Sequence, residues 1–91
     1  MRAWYEDLIE RIRGVQGGAP VVLGTRTPVR TIVVLSRTTY PDRPEQVRAA
    51  LPHLTPRQIE AAMAFYRDRA PQVDADIERN REALRPFLLA S

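Results

Sequence analysis

The stretch "PVVLGTRTPVRTIVVLS", residues 20–36, decides the fold. Two β-branched apolar runs, Val21-Val22-Leu23 and Thr31-Ile32-Val33-Val34-Leu35, flank a polar knot from Gly24 to Pro28, and composition alone suggests a hairpin. The dipeptide Thr27-Pro28 argues otherwise. A threonine hydroxyl can accept from an orphan backbone N–H at a helix start, and proline at the first helical position loses no hydrogen bond. Beyond it, Val29, Ile32, Val33 and Ser36 fall at i, i+3, i+4 and i+7, one face of a helix. The first run therefore reads as a strand from Val21 to about Arg26 and the second as a helix, since a proline inside a paired strand would remove a ladder bond.

Toward the N-terminus, "GVQGGAP" (residues 14–20) is turn chemistry, so the strand is expected to pair with residues before it. A two-stranded hairpin is marginal by itself and must pack on helices or on another subunit. Trp4, Tyr5, Leu8, Ile9 and Ile12 have helical spacing, whereas "LIERIR" alternates like a strand, and local pattern leaves both open.

Toward the C-terminus, "TTYPDRPE" (residues 38–45) ends the first helix. Asp42 with Glu45 resembles a capping box and predicts a short helix from Arg43 to Leu51 that buries Val47, Ala50 and Leu51. A second capping box, Thr55-Pro56-Arg57-Gln58, opens a helix to about Arg69 with Ile59, Ala62, Met63 and Tyr66 inside. A short helix, a turn and a longer capped helix make a helix-turn-helix candidate. Pro71 is expected to interrupt, and a last helix to run from about Gln72 to Arg85. Its stripe of Val73, Ile77, Asn80, Leu84 and Phe87 is a heptad pattern with asparagine in the seam. Pro86 should end it, leaving "FLLAS" as an apolar tail. The fold class is mainly α with a small N-terminal β element. Residues 1–70 carry the β element and helix pair, and residues 71–91 the C-terminal helix and tail of the same unit.

Ninety-one residues make one domain. With no cysteine, no apolar run of membrane-spanning length and a charged N-terminus, the chain reads as a cytoplasmic protein without disulfides or thiolate metal sites. All 14 basic residues are arginine. Nine of them lie between Arg11 and Arg67 against Asp42, Glu45 and Glu60, a local balance of +6, while both ends are weakly acidic. A basic centre suits a nucleic-acid-facing middle and a partner-facing tail.

Enzyme chemistry finds no support in the residues. His53 has no second histidine or cysteine with which to share a metal, and its place in a turn suggests a structural role. Gly17, Gly18 and Gly24 lack the Gly-Lys-Ser/Thr of a phosphate loop. Asp74, Asp76 and Glu78 read as a solvated helix face. No cofactor or metal is expected. Arg57 and Gln58, in the first turn of the longer helix, stand where such helices offer side chains to base edges, with Glu60 and Ala61 sharing or flanking that face. Arg26, Arg30, Arg37, Arg43 and Arg48 are candidates to hold phosphates. Trp4, Ile9, Ile12, Val21 and Leu23 offer more apolar surface than three short helices cover, which predicts a homodimer built partly through the β element.

With "GGAPVVLGTRTPVRTIVVL" (17–35), "LPHLTPRQIEAAMAFYRD" (51–68) and "VDADIERNREAL" (73–84) in view, the chain resembles a prokaryotic family known as domain of unknown function 433, regarded as VapB-type antitoxins. The resemblance implies a small β element followed by a homeodomain-like helix-turn-helix. It also implies a homodimer that binds its own operator DNA and neutralises a PIN-like ribonuclease toxin. In that setting Val73, Ile77 and Leu84 would anchor the C-terminal segment on the toxin, with Arg81 and Arg85 reaching the carboxylates of its metal site. Two departures stand out: Thr27 replaces the family's usual isoleucine or valine, and "TTYPDRPEQ" is longer than the family's Gly-containing turn. The alternative reading is a dimeric protein-interaction module without DNA binding.

Overall fold

In the computed structural model, which describes residues 2–89 and side chains through residue 87, the stretch 20–36 divides at its proline. Strand β2 (Pro20–Val22) is short, and helix α1 (Val29–Val34) opens directly after Pro28. The strand does not reach Arg26: Gly24 turns the chain at φ +78°, where glycine pays no steric penalty, and Thr25 bonds back to the Val22 carbonyl through its N–H (3.0 Å) and its hydroxyl (2.8 Å). The helix starts one residue later than expected, because Pro28 is extended and is itself the N-cap, with no side-chain cap. The Thr27 hydroxyl lies instead 2.7 Å from His53 Nε2. The last turn of α1 widens over Leu35–Thr39, where the Tyr40 N–H reaches back to Leu35 O at 2.8 Å.

The N-terminal segment uses both of its possible conformations. Trp4–Leu8 is a 3-10 turn, and Ile9–Arg11 is strand β1. β1 pairs antiparallel with β2 in the register Ile9 to Val22, Glu10 to Val21 and Arg11 to Pro20. Val21 also bridges to Pro28, so β2 is covered on both sides and Val21 and Val22 are fully buried.

Helix α2 (Pro44–Ala50) lacks the expected capping box. Arg43 is its N-cap without a side-chain bond, and Asp42 sits in the preceding turn at φ +60°, a conformation aspartate tolerates. Val47 and Leu51 are buried, but Ala50 is exposed. Helix α3 (Pro56–Asp68) forms its box in full: the Gln58 N–H donates to Thr55 Oγ1 at 3.1 Å, and the Thr55 N–H donates to Gln58 Oε1 at 2.7 Å. Its buried face is wider than the expected stripe. Ala61, Ala62, Ala64, Phe65 and Tyr66 are buried, whereas Ile59 and Met63 are half-buried. The helix is packed by α1 and also by the N-terminal turn, where the Tyr5 and Phe65 rings meet edge to face at 6.2 Å.

Helix α4 (Ala70–Leu89) contains both prolines that were expected to bound it. Pro71 lies in the first turn, where its missing N–H has no partner to lose. Pro86 lies in the last turn, and the helix continues past it. Val73 is buried in the core shared by α1 and α3, and Ile77 packs against that core. Of the "FLLAS" tail, only the Phe87 side chain falls within the described residues. Among the described residues, no helix is long and apolar enough to cross a membrane.

Candidate nucleic-acid interface

The turn between α2 and α3, residues 51–55, points Leu51 and Leu54 inward, and the contact of His53 with Thr27 ties it to the loop after β2. This holds the two helices around a cleft of about 450 Å³. Val47, Ile59 and Met63 form apolar surface in it, with Trp4 and Tyr40 as its aromatic members. Arg43, Arg48 and Arg67 line the same cleft, together with Asp42 and Glu60. Trp4 is 45% exposed, and the Arg57 guanidinium carbon lies 4.5 Å from its ring centroid, a cation–π contact at the start of α3.

The arginines divide by their partners. Every arginine outside the segment Arg11–Arg67, namely Arg2, Arg69, Arg79, Arg81 and Arg85, forms an ion pair with a carboxylate. Inside that segment, among the described residues, only Arg30 does. The charges around α2 and α3 are thus left to act on solvent and ligands, while those at the chain's ends are locally neutralised.

The residues expected at a DNA face separate accordingly. Arg57 is exposed over Trp4, and Arg48 is exposed on the cleft. Arg26 is exposed in the loop that the Thr27–His53 contact ties to the α2–α3 turn, its carbonyl accepting from Gln16 Nε2 at 3.2 Å. Gln58 is half-buried, with its carbonyl oxygen committed to the Thr55 N–H. Ala61 is fully buried and offers no atom to a ligand, because α3 is packed on more than one flank. Arg30 is engaged within the protein instead. Its guanidinium donates to Asp76 Oδ2 at 3.1 Å and to Gln16 Oε1 at 2.9 Å, and its side chain is only 12% exposed.

Asp76 is correspondingly buried rather than solvated, held also by Arg79 at 3.4 Å. Arg37 is drawn to Tyr66, donating to its hydroxyl and lying over its ring at 5.3 Å. The Tyr66 hydroxyl donates in turn to Asp74 Oδ1 at 2.9 Å. Burial, and then this bond to an acceptor carboxylate, holds the Tyr66 phenol above its ordinary pKa. Tyr5 is raised as well, first by its hydrogen bond to Asp68 and then by burial.

Trp4 and Arg67 are among the cleft members that the sequence does not single out as site residues. Trp4 reads from sequence as apolar surface, since nothing local announces that it meets Arg57. Arg67 carried a usable signal: with Glu60 and Met63 it falls at i, i+3 and i+7 on one face of α3.

The residues expected to meet a partner protein also divide. Val73 belongs to the protein's own core and is not free to anchor anything else. Ile77 is half-buried against the same core. Leu84 and Phe87 are exposed, at 46% and 74%, on the part of α4 that extends beyond the core. Arg81 and Arg85 pair with Glu78 and Glu82 at 3.5 Å in exposed i, i+3 bridges. Such bridges contribute little and exchange readily for a better carboxylate partner.

These features define a small, mainly helical protein with an N-terminal hairpin and an arginine-lined helix pair. The profile of the family described as Protein of unknown function (DUF433) matches residues 9–66. A crystal structure of a DUF433 member protein from Anabaena variabilis ATCC 29413 is 32% identical, with a TM-score of 0.70, and the match covers 80% of this chain and 70% of that one. The chain belongs to the DUF433 family. No curated protein matches it.

Proposed function

We propose that the protein is an antitoxin-like DNA-binding protein, in which α2, the 51–55 turn and α3 serve as a homeodomain-like helix-turn-helix on duplex DNA and the outer part of α4 covers a PIN-like ribonuclease. The observation that carries this reading is the segregation of arginines: those around α2 and α3 lack carboxylate partners among the described residues, and those of α4 do not. Phosphate contacts need unneutralised guanidinium groups, and Arg43, Arg48, Arg57 and Arg67 supply them around one helix pair. Exposed Ile12 and Leu23 near the ends of β1 and β2 support a homodimer formed at the β element. A direct test is titration of the protein against duplex from the region upstream of its own gene and against random duplex. Selective binding of the upstream duplex that Arg57→Ala relaxes is expected. Equal binding of both duplexes would favour the interaction module.

A further inference from the structure

We propose that the cleft between the N-terminal turn, α2 and α3 binds a mononucleotide, with the base against Trp4 and the phosphate on Arg43 and Arg48. This inference does not rest on duplex binding. At about 450 Å³ the cleft has the size of a small-molecule site. Trp4 is unusual for a residue of the N-terminal turn: its neighbour Tyr5 does the core packing, yet the indole is held in place, with Arg57 over the ring and Tyr5 edge-on at 6.1 Å. An exposed aromatic ring fixed in this way is a platform for another flat π-system.

The charges in the cleft select the rest of the ligand. Arg43, Arg48 and Arg67 outnumber Asp42 and Glu60, and among the described residues none of the three arginines forms an ion pair. Guanidinium groups of this kind favour a phosphate. Glu60 is an acceptor suited to the exocyclic amine of a base such as adenine. A bare anion would leave the indole unused, and an uncharged apolar ligand would leave the arginines unused. A nucleotide uses both. Because Arg48 also belongs to the surface assigned above to duplex DNA, a nucleotide in the cleft would compete with the duplex.

Trp4 is the single tryptophan of the chain, so indole fluorescence reports on the cleft directly. The full-length protein is titrated separately with AMP, adenosine, inorganic phosphate and a short oligo-dA strand. A saturable change with AMP is expected, at least about tenfold tighter than with adenosine or phosphate alone, as the loss of one charge-assisted hydrogen bond implies. Arg48→Ala, which removes an exposed side chain and should leave the melting temperature unchanged, should weaken AMP by about tenfold. Trp4→Phe, followed by calorimetry because it removes the probe, should weaken AMP while retaining weak binding. No saturable response to AMP, equal responses to AMP and phosphate, binding of the oligo-dA strand but not AMP, or AMP affinity unchanged in Arg48→Ala would each overturn the proposal.

Discussion

Replacing Arg30 by methionine removes the guanidinium that holds Asp76 to α1. Both side chains are 12% exposed and meet at 3.1 Å, so the carboxylate would lose its main partner without gaining solvent. Arg79, 70% exposed and 3.4 Å from the other carboxylate oxygen, compensates only in part. Breaking a buried pair by removing one member costs about 3 to 5 kcal/mol, and the nearby Arg79 places this case near about 3 kcal/mol. In a domain of this size that corresponds to a melting temperature lower by roughly 12 to 24 °C. The double variant Arg30→Met/Asp76→Leu should recover most of the loss, because no unpaired charge remains. Arg79→Ala should cost less than about 0.5 kcal/mol. Circular-dichroism melts and urea titrations of the four proteins measure these differences. An Arg30→Met variant within about 0.5 kcal/mol of wild type would refute the structural role and return Arg30 to the phosphate-binding set.

Truncation separates the two parts of α4. Ending the chain after Ala70 removes Val73 and Asp76 and should abolish cooperative unfolding, whereas ending it after Asn80 should keep the fold but lose inhibition of a PIN-like ribonuclease, as read by RNA cleavage. Retained inhibition after the shorter truncation would remove Arg81, Leu84, Arg85 and Phe87 from the toxin-facing surface. Tyr5 and Tyr66 both have phenols raised above their ordinary pKa. The folded value exceeds the unfolded one, so their stabilisation is complete below about pH 10 and is lost as pH rises through the folded value. Melting temperatures should fall above about pH 10, and less steeply in Tyr66→Phe; a wild-type melting temperature that holds constant there would contradict the assignment.

What the sequence revealed depended on the range of the interactions involved. The start of the helix after Pro28 and the Thr55–Gln58 capping box follow from rules that act within four residues, and the hairpin from the turn chemistry of one short glycine-rich stretch; the structure contains all three. The Asp42 cap failed at the same range, because the left-handed turn at Asp42 takes it away from the helix end. Pro86 failed as a stop: near the end of α4 the helix forgoes the one backbone bond that its N–H would have made and still continues to Leu89. Arg30 with Asp76 and Trp4 with Arg57 pair residues far apart in the chain, and no local spacing encodes those choices. Ala61 shows a related limit. Periodicity identifies one buried stripe, but a helix packed on two flanks buries more than that stripe.

The salt dependence of duplex binding tests the arginine-lined helix pair most directly. For wild type and for the triple variant Arg43→Ala/Arg48→Ala/Arg67→Ala, the association constant is measured on the upstream duplex across a range of salt concentrations. Each phosphate contact contributes about 0.9 to the slope of log K against log salt, so the triple variant should lose up to about 2.7 of it. Arg79→Ala/Arg85→Ala, which removes arginines already paired with carboxylates, should leave the slope nearly unchanged. Equal slopes in wild type and the triple variant, or no binding by wild type at low salt, would contradict the assignment of this surface to DNA.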